Sequence, residues 1–560
     1  MSEHNDGVLR KRVSRRTVLK SATGAAAAFS ATGVLGKSYQ RALAQESLVN
    51  QILAIPGKGK QPTDSDMEKV GELCLKTQNK GKFKGQTIRF QGLNNAGFHV
   101  NVLRPLSKAW EDATGAKIEW IAITQADSYP KMHQALSTNT VNFDILEGSG
   151  GWEGDLFGGN WCLPMPDWVK QAVDFNDIVP YLQNPVRTWN GTIYGMSIDG
   201  DCHMWNYRSD VFGDKDLADQ WKKDGMPGDF AVPNTWEGVT AMTKWMKGKT
   251  FEGQPLYGVL DTLAKSGGVS TYFLNSRASG YAKYPGNPAV FFDPKDMTPY
   301  INTPPFVQGL QDIIDSLPGE PPDEKTSDLL KTLGDFLAGT GSMVHWWADV
   351  GTNVYTNNTS VVQDKVSFDI LPGATRVYNQ STKAWETINS GGTPVAGPGS
   401  PTPGGGINFA PYLAFLGWGL YVMKDTEKAG ISEACWDLVT HLTSKEISLW
   451  ENIYPSGFNP WRKSHLADPQ QWTIGGFSLE GATQYLNAIK NSYNHPNRII
   501  DLRIPGLGQY YETAESAWVR AVAGEVDAQS ALDDAAKSWQ QLTDQLGRDN
   551  QVKLYQASLG

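Results

Sequence analysis

Apolar and polar positions first take on a strand pattern at "QTIRFQGL" (86–93), so the folded core is expected to begin near residue 85. In "LRPLSKAWEDATGAKIEWIAI", Leu103, Leu106, Ala109 and Trp110 form one helical face, and Gly115 stops the helix. Ile118, Trp120 and Ile121 then resume strand character, which completes a β-α-β unit. A second helix is expected over 129–137, followed by a short apolar strand in "FDILEGSGGW" that ends in a glycine-rich loop. Strands alternating with helices predict an α/β fold with a mostly parallel sheet. Further on, Thr192 to Phe212 gives two extended runs broken by Asp-Gly-Asp, and Thr235 caps a helix in "VPNTWEGVTAMTKWMKG". Residues 391–406 read as a flexible surface loop, and 512–546 as helix with a break at "AGEVD". No heptad or fixed-period repeat is present.

With 560 residues, 40% hydrophobic and 19% charged, the chain is long enough for more than one core and too apolar to be disordered. Two lobes are expected. Trp, Tyr and Phe number 20 each beside 58 Gly and 31 Pro, which places many aromatic contacts on turn-rich loops. "SRRTVLK" (14–20), a weakly apolar run over 21–35 and "ALA" (42–44) resemble a twin-arginine export signal, with cleavage expected after Ala44. That apolar run is too short and too rich in small residues to span a bilayer stably. The net charge is −9, and removing the basic leader makes the remainder more acidic, which suits neither nucleic acid nor an anionic membrane. Cys74, Cys162, Cys202 and Cys435 form no C-x-x-C and have no histidine at metal-ligand spacing. They are buried thiols or one or two disulfides, with Cys162–Cys202 the preferred pair.

Motifs for covalent chemistry are missing. "GKT" at 248–250 has Thr243 where a phosphate-binding loop needs its first glycine, and neither G-x-S-x-G nor H-E-x-x-H occurs. The eight histidines are scattered singly, and no metal or cofactor is implied. Carboxylates do stand in glycine-rich loops: Glu147, Glu153, Asp199, Asp201 and Asp349. A glycoside hydrolase would use two of them as acid and base, whereas a sugar receptor would use them to accept from hydroxyl pairs.

Seven segments, among them "NGTIYGMSIDGDCHMWNYRSDVFGD", "FLAGTGSMVHWWADVGT" and "AGEVDAQSALDDAAKSW", occur in an order and spacing that resemble the extracellular solute-binding proteins (family 1) of carbohydrate ABC importers. The resemblance runs from about Lys84 to the C-terminus. It implies a two-lobed α/β periplasmic-binding-protein (Venus flytrap) fold with a ligand cleft between the lobes and a hinge crossed more than once. It also implies a monomer that carries a sugar, polyol or short oligosaccharide through the periplasm to a membrane permease driven by a separate ATPase. The expected layout is signal 1–44, N-terminal extension 45–84, first lobe 85–201 and 341–411, and second lobe 202–340 and 412–560. The alternative is a secreted carbohydrate-active enzyme using cleft carboxylates.

Ligands in open α/β sheets meet the loops at the carboxyl ends of strands. Against the family pattern, the expected ligand-binding residues are Asn94, Asn95 and Phe98 after the first strand, and Ser149, Gly150 and Trp152 after "FDILE". Asp199, Asp201 and His203 are expected near the first lobe crossing, and Trp346, Trp347 and Asp349 near the second. Trp418, Ser456, Asn459, Arg503 and Tyr510 complete the set, with a structural ion pair the rival role for Arg503. Neighbours on an extended segment point to opposite faces, so Trp347 is expected to stack on the ligand while Trp346 packs at the crossing. Asp349 accepts from ligand hydroxyls or caps the following helix.

Overall fold

A computed structural model describes residues 48–58, 60–94, 99–389, 394–396 (backbone only), 406–454 and 457–559. The predicted export signal, Asn95, Phe98, Ser456 and most of the 391–406 loop lie outside the described residues; within that loop, Pro394–Ala396 form a short strand. The chain divides into Met1–Ala54, in which residues 48–53 are helical, and a larger unit, Ile55–Gly560.

The larger unit is built on two sheets. In the first, β1 (Thr87–Leu93) lies between β2 (Lys117–Ile123) and β3 (Ile145–Ser149), both parallel to it. The second is centred on β5 (His203–Arg208) and contains β6 (Tyr257–Leu260), β7 (Gly341–Trp347) and β8 (Val366–Ile370). The first sheet is completed by β4 (Met196–Ser197) and β9 (Trp418–Val422), which runs antiparallel to both β3 and β4. In the second sheet only β6 and β7 are parallel, since β5 opposes both β7 and β8. The expectation of a mostly parallel sheet is therefore corrected. Strands that enter a sheet from the other lobe traverse it against the β-α-β strands.

The helices that frame these sheets are α1 (Asp64–Leu73), α2 (Val100–Thr114), α3 (Gln125–Ser137), α4 (Trp236–Met246), α5 (Thr271–Ala282), α6 (Leu329–Leu337), α7 (Asp349–Thr356), α8 (Ser432–Leu442), α9 (Leu479–Asn494), α10 (Leu507–Ala523) and α11 (Ala528–Gln545). The predicted face of α2 is the buried one: Leu103, Leu106 and Trp110 are inaccessible, and Gly115 ends the helix in the left-handed region. Each such large side chain contributes roughly 1.5–3 kcal/mol by leaving water. Thr124 and Thr235 cap α3 and α4 by accepting from the backbone N–H of Asp127 and Gly238. Within the larger unit, Thr77 and Asn79 of the N-terminal extension bond to a helix of the first sheet. Asp437 of α8 accepts from Thr77 at 2.9 Å, Asn79 at 2.7 Å and the Trp110 indole at 2.5 Å. No helix among the described residues is long and apolar enough to cross a membrane.

Sheet membership overturns the expected return to the first lobe at residue 341. β7 and β8 pair with β5, so 341–370 stay with the second sheet, and it is β9, placed by sequence in the second lobe, that joins the first. The chain passes between sheets at 198–202, at 414–417 and again between Ile453 and Leu479, after which α9 packs on β8. These passages meet. The Ile198 N–H donates to the Trp418 carbonyl at 3.0 Å, and the Tyr493 hydroxyl donates to Gly200 O at 2.5 Å and Pro460 O at 2.9 Å. Phe415, Leu416 and Gly417 have φ of 64°, 59° and 71°, three successive residues in the left-handed region. A Cβ on Gly417 would sit 2.2 Å from the Asp199 carbonyl oxygen, so only glycine lets two passages lie this close. All four cysteines are buried free thiols; burial pushes the Cys74 thiol up to about 12 and the other three higher. The expected Cys162–Cys202 disulfide is absent: Cys162 bridges to Met423 beside the first sheet, whereas Cys202 sits in the first passage.

Candidate functional site

A cleft of about 370 Å³ opens where the passages meet. Its walls combine the ends of first-sheet strands (Asn94, His99, Thr124, Gln125) with the C-terminal end of β7 (Trp346, Trp347), the start of α7 (Asp349) and α6 (Leu329, Leu330, Leu333). The passages themselves supply Asp199, Asp201, Phe415, Trp418, Gly457 and Asn459.

The aromatic wall is continuous. Trp347 stacks on Phe415 with centroids 5.0 Å apart and planes 23° apart, and Trp346 meets Trp347 edge-on at 5.5 Å. Phe415 lies 5.7 Å from Trp418, which Trp152 meets edge-on at 5.4 Å from behind. Flat apolar rings of this kind cover the C–H faces of a sugar or a carbon chain.

The floor is acidic. Asp199 accepts from the Asn459 backbone N–H, and the Asn459 side chain donates to Asp201 Oδ1 at 2.7 Å. Burial raises Asp199 to about 6, against the stabilising N–H of Asn459. Asp201 is raised well above the carboxylate range by burial and by the charges of Asp199 and Asp349, and it shares a hydrogen bond with Asp199. Burial, with Asp199 nearby, pushes Asp349 up to about 7. On the opposite side His99 hydrogen-bonds through Nδ1 to Glu147, whose other oxygen accepts from the Leu93 N–H at 2.9 Å. Burial alone would pull the imidazole down, but the Glu147 carboxylate outweighs it and holds His99 above its ordinary value. His99 has φ 54° and ψ −109°, a strained backbone for a non-glycine residue at the entry to α2.

Of the described candidates, Asn94, Asp199, Asp201, Trp346, Trp347, Asp349, Trp418 and Asn459 line the cleft. Trp346 is corrected: it lines the cleft together with Trp347, because β7 ends there and side chains from both its faces border the opening. Asp349 is the first residue of α7, and its Oδ1 has no hydrogen-bond partner, which leaves that oxygen open to a ligand.

Six candidates are not part of the lining. Ser149 donates to the Phe415 carbonyl at 2.9 Å, and Gly150 approaches Leu416 so closely that a Cβ would lie 2.8 Å from its backbone oxygen. Both hold the strained passage in place. Trp152 backs Trp418, and His203 backs Trp347 edge-on at 4.4 Å while bonding Ser276. Arg503 is the structural ion pair: buried, it meets Glu153 at 3.4 Å, and Glu153 also pairs with Arg187 at 2.5 Å. Tyr510 bonds Thr543 at 2.8 Å between α10 and α11.

Sequence reasoning missed His99, Thr124, Gln125, Leu329, Leu330, Leu333, Phe415 and Gly457. Thr124 and Gln125 follow β2, so the rule applied to the other strand ends would have found them. The α6 leucines carry no such signal, since an amphipathic helix reads as core.

A model of the family described as bacterial extracellular solute-binding protein matches residues 106–474. Among curated proteins, a probable amino-acid ABC transporter periplasmic-binding protein, y4oP of Sinorhizobium fredii, is 21% identical over 193 residues, or 34% of this chain; the match spans 40% of that relative's length. Solved structures share the fold at low identity. A solute-binding protein of Agrobacterium radiobacter in complex with ribitol superposes with a TM-score of 0.62 at 20% identity, covering 82% of this chain and 99% of that one. Maltose-bound MalE3 of T. maritima gives 0.60 at 17% identity, covering 82% and 100%. A protein of Agrobacterium vitis with bound D-mannitol gives 0.59 at 18%, covering 83% and 99%. The two sheets and their three connecting passages are thus those of the two-lobed periplasmic solute-binding fold, and the chain belongs to the bacterial extracellular solute-binding protein family.

Proposed function

We propose that this protein is the exported binding component of an ABC importer, which captures a sugar, polyol or short oligosaccharide in the cleft and delivers it to a membrane permease driven by a separate ATPase. The observation that carries this reading is the cleft itself. A continuous aromatic wall faces hydrogen-bonded acids exactly where three interlobe passages meet, so a ligand seated there touches both lobes and the hinge. Its volume, about 370 Å³, sits near the small end of the roughly 300–1,000 Å³ typical of ligand pockets and favours one or two sugar rings. The ribitol, maltose and mannitol in the structural relatives support the same class. In this reading the protein works as a monomer in the periplasm, sent there by the twin-arginine signal and cleaved after Ala44.

The hydrolase alternative would need two of the cleft carboxyls to flank a scissile bond as acid and base. Asp199 and Asp201 instead interact directly with one another, which favours a shared hydrogen-bonding role for that pair. The test is a thermal-shift screen over sugars, polyols and short oligosaccharides, with the compound recovered afterwards. A ligand at 100 times its Kd should add about 2.7 kcal/mol of stability and be recovered unchanged. Product formation that disappears on mutating Asp199 or Asp349 would overturn the transport reading.

A further inference from the structure

Two buried acceptors stand free in the cleft, beside the free indole N–H groups of Trp346 and Trp347. Asn459, 2% exposed, gives its Nδ2 hydrogen to Asp201 and leaves Oδ1 unpartnered, and Asp349 Oδ1 is also unpartnered. The Trp346 indole N–H approaches Asp349 without reaching hydrogen-bond geometry. Three carboxyl groups line the cleft, and the only basic lining residue among those described, His99, already pairs with Glu147. No Lys or Arg is among the described lining residues. The remaining donors, such as the Trp347 indole and the Asn94 amide, are neutral.

A neutral polyol brings an acceptor lone pair with each hydroxyl donor. A protonated amine brings three donors, no acceptor and a positive charge, which complements this wall. The ring faces of the tryptophans add attraction for a cation. We propose that the cleft selects a sugar or polyol carrying a protonated amine over its neutral hydroxyl counterpart, with Asp349 and Asn459 Oδ1 taking the ammonium hydrogens. The inference rests on the sugar or polyol reading above and narrows it.

Proton linkage follows. The charged and titratable groups around Asp349 are Asp199 and Asp201 from the first passage, His99 from the entry to α2 and Tyr485 of α9; burial first, and then the neighbouring acids, keep it partly protonated. An ammonium reverses that balance, so the amine should bind with release of a proton to solvent.

The experiment is calorimetry on the full exported chain at pH 7 with matched pairs: glucosamine and glucose, glucamine and sorbitol, chitosan disaccharide and cellobiose. Each is run in phosphate and in Tris, whose ionisation heats differ. In at least one pair the amine should bind roughly thirtyfold tighter than its neutral partner, the scale of one charge-assisted pair, and release a fraction of a proton. Asp349→Asn should bring that pair to within about threefold, read as the ratio of the two Kd values measured on the variant. If the neutral member binds as tightly or more tightly in every pair, the amine proposal fails and the sugar reading stands. If no compound of either kind binds, both fall together. A preference that survives Asp349→Asn would overturn the part given to Asp349.

Discussion

Asp349 makes the stability of the unliganded protein fall as pH rises. Burial pushes its carboxyl from 3.8 up to about 7, while in the unfolded chain it ionises near the ordinary value. Between those two values the folded state holds a proton that the unfolded state has lost. Its contribution is therefore fully present below about pH 4, declines across pH 4–7 and is gone above. A shift of about three units corresponds to roughly 4 kcal/mol, and solvent in the cleft onto which the carboxyl opens should reduce this to about 1–2 kcal/mol. Asp349→Asn removes the titration and keeps an acceptor for the Asn353 amide, which lies 3.4 Å from Oδ2. The variant should match the parent near pH 4 and exceed it by about 1–2 kcal/mol at pH 8. Loss of its charge also eases ionisation of Asp201, which acts in the same direction. Urea unfolding followed by tryptophan fluorescence across pH 4–8, parent against variant, measures the difference while other titrations cancel. A difference that stays flat with pH, or a variant less stable at pH 8, would refute the argument.

Two further outcomes test the site's framework. Gly417→Ala places a Cβ 2.2 Å from the Asp199 oxygen at φ 71°, whereas Gly430→Ala, at φ 69°, meets nothing within 4 Å. The first should cost at least about 3 kcal/mol in urea unfolding and the second about 1 kcal/mol, the backbone cost alone. Because Trp346 and Trp347 both line the cleft, alanine at either should weaken binding of the best-stabilising sugar about tenfold or more by calorimetry. An unchanged Kd for Trp346→Ala would return that residue to a packing role.

The sequence revealed elements whose identity is local and hid those fixed by distant partners. β1, α2 and β2 are legible because the apolar period switches from 2 to 3.6 and back within 37 residues, with Gly115 as the stop. By contrast "GSMVHWW" and "WGLYV" are both near-continuous apolar strands buried on both faces, and nothing in their pattern says that one joins the second sheet and the other the first. That choice is made by the register of β7 on β5 and of β9 on β3, between residues 138 and 277 apart in sequence, as in Val344 opposite Asn206 and Val422 opposite Ile145. The site divides along the same line. Asp199, Asp201, Trp418 and Asn459, placed by the family pattern, line the cleft because they lie on or beside glycine- and proline-bearing passages, where the backbone path itself delivers side chains to it. Arg503 was left between two roles because the deciding partner, Glu153, lies 350 residues away and draws the guanidinium into the interior. Leu330 shows the opposite case: apolar residues at helical spacing carry no ligand signal, yet the side chain is 79% exposed at the cleft. An exposed leucine there has no packing role to perform in the unliganded protein, so the area it would bury against a ligand or the facing lobe is available to favour closure over opening.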